Sequence, residues 1–112
     1  MGVFLIIHIL TRRPKYGTEY SMWYVYIIQS KADPDYFYKG STYDIGQRLE
    51  QHNAGHVTST RTRMPYRLVY YEAYVSERTA RIREHAIKNS GSISIPLLRR
   101  IRESLSESRE GN

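Results

Sequence analysis

The spacing of apolar and polar residues changes along this chain, and each change marks an element. "WYVYIIQS", residues 23 to 30, is dense in aromatic and β-branched side chains and reads as a strand. "KADPD" interrupts it with a proline and two aspartates, a turn that leads into "YFYKG" as the second strand of a hairpin. Asp44 followed by Gln47 has the form of a capping box, in which a side-chain oxygen and an amide three residues on satisfy backbone donors, so a helix is expected from about Ile45. Asn53 and Gly55 should stop it. "HVTSTRTRMPY" reads as a polar, basic loop, and "RLVYYEAYV", residues 67 to 75, as a third strand. Ser76 and Glu77 open a helix running to about Lys88, where "NSG" ends it. Ser94 and Pro96 begin a last helix, with Leu97, Leu98, Ile101 and Leu105 at helical spacing. The chain therefore reads strand, strand, helix, strand, helix, helix, without internal repeats, and its tail "SESREGN" is expected to fray.

The first 21 residues break this pattern. "VFLIIHIL", residues 3 to 10, is too short to span a bilayer as a helix. Arg12, Arg13 and Lys15 follow the run instead of preceding it, the wrong order for a secretory signal, and no export is read. A buried strand and a short packing helix both stay open for this run. The plainest reading is an extension without a role, ahead of a compact domain that begins at Met22. The chain then divides into an extension (1–21), a domain (22–90) and a C-terminal helix with its tail (91–112).

A length of 112 residues allows one domain with a modest core. Its hydrophobic fraction of 40% and charged fraction of 25% are those of an ordinary globular protein, so the disordered and fibrous classes fall away. The absence of cysteine removes disulfides, zinc–thiolate sites and thiol nucleophiles, and suits a cytoplasmic setting. Any metal must sit on oxygen or imidazole. Lys and Arg number 17 against 11 acids, and the resulting +6 favours a polyanionic partner, either nucleic acid or an anionic membrane surface. No helix pairs a basic face with a broad apolar one, which argues against the membrane.

Three groups can carry chemistry. Arg48 and His52 are four apart and share a helix face, while Gly40 ahead of them permits a tight turn and close backbone approach, as anion sites use. The ordinary alternative is a solvated helix face. Tyrosines are the second group: the chain has 11, and Tyr26 and Tyr38 sit in adjacent strands of the hairpin, where cross-strand neighbours meet. Any single tyrosine is more commonly a packing residue with its hydroxyl at the rim. Third, Glu84 shares a helix edge with Ala80 and Ile87, so its carboxylate borders an apolar stripe, where acids are usually paired or bound to metal. Its ordinary alternative is a salt bridge to Arg81 or Lys88.

Together, "YVY" (24–26), "YKG" (38–40), Arg48, His52 and Glu84, in this order and at these spacings, resemble the GIY-YIG endonuclease superfamily over residues 22 to 90, and more narrowly its small single-domain bacterial members. The resemblance implies an α+β fold, a small three-stranded antiparallel sheet flanked by helices. It also implies metal-dependent hydrolysis of DNA phosphodiester bonds through one Mg²⁺ or Mn²⁺ ion. Carried over by position, Tyr38 is the general base or orients the attacking water, with Tyr26 assisting. Arg48 holds phosphate oxygens, His52 handles a proton or contacts the backbone, and Glu84 is the one protein ligand of the metal. All five are expected in one cleft at the sheet face. An Arg fork and a cation together supply the positioning and neutralisation that phosphoryl transfer needs. One carboxylate is enough, because Mg²⁺ keeps several waters. A phenol titrates near about 10, so a tyrosine base also needs a nearby cation to lower it. Lys39, Arg61, Arg63 and Arg67 are expected to neutralise DNA phosphates around the site.

The sequence departs from the superfamily pattern in places. Tyr24 and Val25 replace the first motif's glycine and isoleucine, and Lys39 fills the middle of the second. An asparagine that some members carry in the last helical region has no counterpart near Leu98, Arg99 and Arg100. Branched, damaged or single-stranded DNA, as met in DNA repair, is the expected substrate. The alternative is a nucleic-acid-binding module that kept the scaffold with little or no activity.

Overall fold

The structure, a computed structural model, describes residues 21–110; the N-terminal extension with its "VFLIIHIL" run and the end of the tail lie outside the described residues. Strands β1 (Trp23–Ser30), β2 (Phe37–Thr42) and β3 (Tyr66–Tyr74) form one antiparallel sheet in the order β2-β1-β3. In the β1–β2 hairpin Tyr26 stands opposite Gly40 and Ile28 opposite Tyr38. On the other side Ile27 pairs with Tyr70 but Ile28 with Leu68, so Val69 is the extra residue of a bulge that bends β3.

The helices are α1 (Ile45–Asn53), α2 (Glu77–Asn89) and α3 (Gly91–Glu110), with a 3₁₀ turn at Thr58–Arg63. Strict alternation along β1 sends its side chains to two different layers. Val25 and Ile27, with Phe37 of β2, pack under α2 and α3 against Ala80, Ile87, Leu97 and Ile101. Tyr24, Tyr26 and Ile28 pack on the other face with Ile45 of α1 and Tyr66. Every residue from Tyr24 to Ser30 is buried, which is the lot of a central strand covered on both sides. Each covered side chain of this size contributes roughly 1.5–3 kcal/mol, so β1 holds both layers together.

Local signals set the ends of the elements. The Asp44 carboxylate accepts the Gln47 N–H at 3.0 Å and starts α1 where the capping pattern predicts. At the other end Asn53 both donates to the Tyr66 carbonyl at 3.0 Å and accepts its N–H at 2.7 Å, which fixes the end of α1 to the start of β3. Gly55, at φ 78°, turns the chain away. Ser76 caps α2 by accepting from the Thr79 N–H at 3.1 Å.

Three boundaries differ from the sequence reading. Part of the basic loop is a 3₁₀ turn, because Thr60 is drawn fully into the interior. The last helix begins at Gly91, directly after Ser90, and carries Pro96 inside it. That proline cannot donate to the Ser92 carbonyl, but Ser92 is exposed and water can take the place of the missing N–H. The same helix continues through Glu110, into the stretch expected to fray. Among the described residues no helix is long and apolar enough to cross a membrane.

Candidate active site

Tyr26 lies at the middle of β1, and the residue facing it across the hairpin decides where its ring can go. A Cβ at Gly40 would stand 2.5 Å from the Tyr26 hydroxyl, so only glycine leaves room for that ring to lie across β2. Gly40 is within the strand and makes this close approach, in place of the tight turn expected of it. The Tyr26 hydroxyl thereby reaches His52 of α1, 2.8 Å from Nε2.

His52 is not on a solvated face: it is completely buried. Its ring is packed by Tyr38 at 5.0 Å, Tyr26 at 5.9 Å and Tyr66 at 6.1 Å between centroids. On its far side Nδ1 is 2.8 Å from the Thr60 hydroxyl, and that hydroxyl donates to the Val57 carbonyl at 3.3 Å. With its own hydrogen committed, Thr60 accepts from Nδ1–H, which leaves Nε2 bare to accept from Tyr26. The result is a one-directional chain from Tyr26 through His52 and Thr60 to Val57. Burial and the charge of Arg48 lower the His52 imidazole to about 4, so it is neutral at pH 7, as this chain requires. Burial raises Tyr26 above the ordinary tyrosine value; Arg48 opposes the shift, while the charges of Tyr38 and Glu84 add to it. At Tyr26, then, the nearby cation does not win.

Arg48 is half-buried, donates from Nη1 to Gln51 at 2.9 Å, and lines with Ser41 a cavity of about 300 Å³. Glu84 comes to this place from the other layer. The Ser41 hydroxyl donates to Glu84 Oε1, and Lys88 Nζ lies 2.7 Å from Oε2. Lys88 also sits 5.7 Å from the Tyr38 ring centre. Arg81, the other partner expected for Glu84, pairs with Glu77 at 2.7 Å instead. Tyr26, Tyr38 and His52 thus cluster on one face of the edge strand β2, with Arg48 beside Tyr26, and Glu84 meets the strand from the other face through Ser41. The arrangement straddles β2; it is not a cleft on one sheet face.

Ser41, Thr60 and Lys88 complete the arrangement. Ser41 follows the "YKG" triplet and alternates to the α2 side, Lys88 was visible only as an i+4 partner, and Thr60 has no signal in a polar loop. The expected phosphate contacts scatter. Arg61 is exposed and donates to Thr58 at 3.3 Å. Arg63 pairs with Asp33 at 3.5 Å and covers the Tyr36 ring at 4.3 Å. Lys39, opposite Ile27, alternates to the α2/α3 face. Arg67 lies away from the other site residues, opposite Gln29 and beside a separate cavity.

No group of three His, Cys, Asp or Glu side chains with metal-site geometry occurs among the described residues, so a cation here would have fewer than three such protein ligands. Glu84 fits as one. It is a hard oxygen donor, 18% exposed at the side chain, with one oxygen oriented by a hydroxyl. Its other oxygen meets an i,i+4 lysine, a pairing worth only about 0.3–0.5 kcal/mol and readily exchanged.

A family model for the GIY-YIG catalytic domain matches residues 22–92, a span that includes every one of these five residues. The chain belongs to the GIY-YIG family. It therefore carries the catalytic domain of a nuclease family. A UPF0213 protein of Haloquadratum walsbyi is 39% identical over 67 residues, 59% of this chain and 73% of that protein. A UPF0213 protein of Desulfotalea psychrophila is 40% identical over 79 residues, 69% and 68% of the two chains. The solution structure of a UPF0213 protein from Bacillus halodurans is also similar, at 32% identity over 77% of this chain and 83% of that one, with a TM-score of 0.39.

Proposed function

We propose that this GIY-YIG protein is a metal-dependent endonuclease that hydrolyses DNA phosphodiester bonds around Tyr26, Tyr38, Arg48, His52 and Glu84. The observation that carries the proposal is the hydrogen-bond chain from Tyr26 to Val57, polarised to accept a proton at His52 Nε2 and lying beside an arginine with free donors. Arg48 holds the non-bridging phosphate oxygens with its planar fork. Glu84 would hold one Mg²⁺ or Mn²⁺, which when bound supplies charge neutralisation at the phosphate. Tyr38, half-buried against the His52 ring, orients the attacking water.

As the water oxygen bonds to phosphorus, its proton passes to the Tyr26 oxygen while Tyr26 gives its own proton to His52 Nε2. The bond from phosphorus to the leaving sugar oxygen breaks, and that oxygen takes a proton from solvent. His52 is a weak base in the free protein, held down by burial and by Arg48. A phosphate on Arg48 cancels the second of these effects, so substrate binding itself makes the imidazole more basic.

The second reading, a binding module without turnover, is favoured by one observation: the chain's own Lys88 already neutralises Glu84. Incubating the purified protein with linear, nicked, branched and single-stranded DNA in Mg²⁺, Mn²⁺ or EDTA separates the two. Cleavage is expected with either ion and none with EDTA. Arg48→Ala should lower turnover and affinity together and reduce the salt dependence of binding by about one ion contact. No cleavage of any DNA form would leave the binding module standing.

A further inference from the structure

The site above leaves a cavity beside Arg67 unused. It measures about 430 Å³ and is lined by Lys31, Asp35, Phe37, Arg67, Arg102 and Leu105 among others, on the α2/α3 face of the sheet. Three cations and one acid meet there, and none of the four makes an ion pair among the described residues. The two arginines are held by neutral groups instead. Arg67 Nε donates at 3.0 Å to Oε1 of Gln29, a side chain buried to 7% whose own amide is committed to the Pro34 carbonyl at 2.8 Å. Arg102 lies over the Phe37 ring at 5.1 Å.

A guanidinium oriented by an amide or a phenyl ring keeps its full charge and its terminal donors, which is the state suited to a phosphate fork. Arg83 shows the contrast within the same chain, with both forks spent on Glu72. Phe37 and Leu105 add an apolar floor of the kind a sugar or base can cover.

We propose that this groove is a second phosphate-binding site, which holds a segment of DNA on the sheet face opposite Tyr26 and His52. It rests on DNA being the substrate and deepens that reading: phosphate contacts on both faces let the protein hold two segments at once, the geometry of a branch. A free phosphate ester shares the same chemistry, so the test must separate the sources.

The affinities of a branched DNA and of a linear duplex are measured in EDTA across a salt series for the full chain, for Arg67→Gln/Arg102→Gln and for Lys31→Gln. The exposed Lys31 can be changed without disturbing packing. Amide signals of Gln29 and Phe37 are followed by NMR while DNA or inorganic phosphate is added. The double variant should lose about tenfold in affinity for branched DNA and about two ion contacts of salt dependence, and Lys31→Gln about one. The Gln29 and Phe37 signals should move with DNA. Unaltered affinity and salt dependence in both variants would overturn the proposal, as would signals that move with inorganic phosphate but not with DNA. Binding in EDTA needs no turnover, so DNA held in the groove by a protein that cuts nothing would overturn only the nuclease reading.

Discussion

Glu72 on β3 and Glu84 on α2 are covered almost equally, with side chains 14% and 18% exposed, and each has a basic partner and a tyrosine nearby. Their surroundings nevertheless differ in kind. Glu72 accepts both forks of Arg83 at 2.9 Å, the Tyr74 hydroxyl at 2.6 Å, and the Tyr70 hydroxyl. Burial pushes its carboxyl up, but these hydrogen bonds and the Arg83 charge outweigh it and hold the group down to about 2. Glu84 has one hydroxyl and one surface ammonium. A carboxylate offers about four acceptor directions. Glu72 has filled them and ties β3 to α2; Glu84 has not. Saturation, and not burial, separates the structural acid from the one proposed to hold the metal.

The largest test of this contrast is Glu84→Gln, which should reduce metal-dependent cleavage by on the order of a thousandfold while leaving DNA affinity in EDTA unchanged or raised, because a negative charge is lost near the phosphate. Full activity would remove the metal assignment. Glu72→Gln should do the reverse. It leaves Arg83 without its partner and should lower the unfolding free energy by about 2 kcal/mol, allowing for partial exposure, with turnover kept below the unfolding midpoint. Urea titrations and cleavage rates on the two variants would break the comparison if both lost stability and activity in step. Gly40→Ala probes the site's own packing. Its Cβ would meet the Tyr26 hydroxyl at 2.5 Å, so a loss of about 1–2 kcal/mol is expected, with a fall in cleavage larger than this loss of stability explains.

The smallest effect is the pH dependence, in two successive windows. His52 falls from 6.5 in the unfolded chain to about 4 in the native one, so its contribution is complete above 6.5 and is lost as pH falls towards 4. Glu72 falls from 4.5 to about 2, so its contribution is complete above 4.5 and is lost below that, towards 2. Urea midpoints measured through both windows should lose the upper step in His52→Gln and the lower step in Glu72→Gln.

The strands, α1 and α2 were legible because their signals are local: aromatic and β-branched runs for β1 and β3, Asp44 with Gln47 for α1, and Ser76 for α2. The Lys88 partner of Glu84 was legible for the same reason, being one helical turn away. The interior of the site was not. His52 and Arg48 look alike at i and i+4, and only the tertiary fold buries the first while leaving the second beside a cavity. Thr60 sits among polar loop residues and is identified only by the imidazole that reaches it. The start of α3 was misplaced because proline is read as a helix opener, whereas Pro96 falls where an exposed carbonyl tolerates the lost bond.

The straddled strand has a consequence for the life of the chain before it is finished. During synthesis β1, β2 and α1 emerge with Tyr26, Tyr38, Arg48 and His52, but Glu84 follows only on α2, from the layer on the other side of the sheet. On the proposed reading, the residues that would hold the phosphate are therefore made before the acid that would hold the metal. Under the proposed function, cleavage would begin only once both layers have closed on β1, and opening either layer would take the site apart.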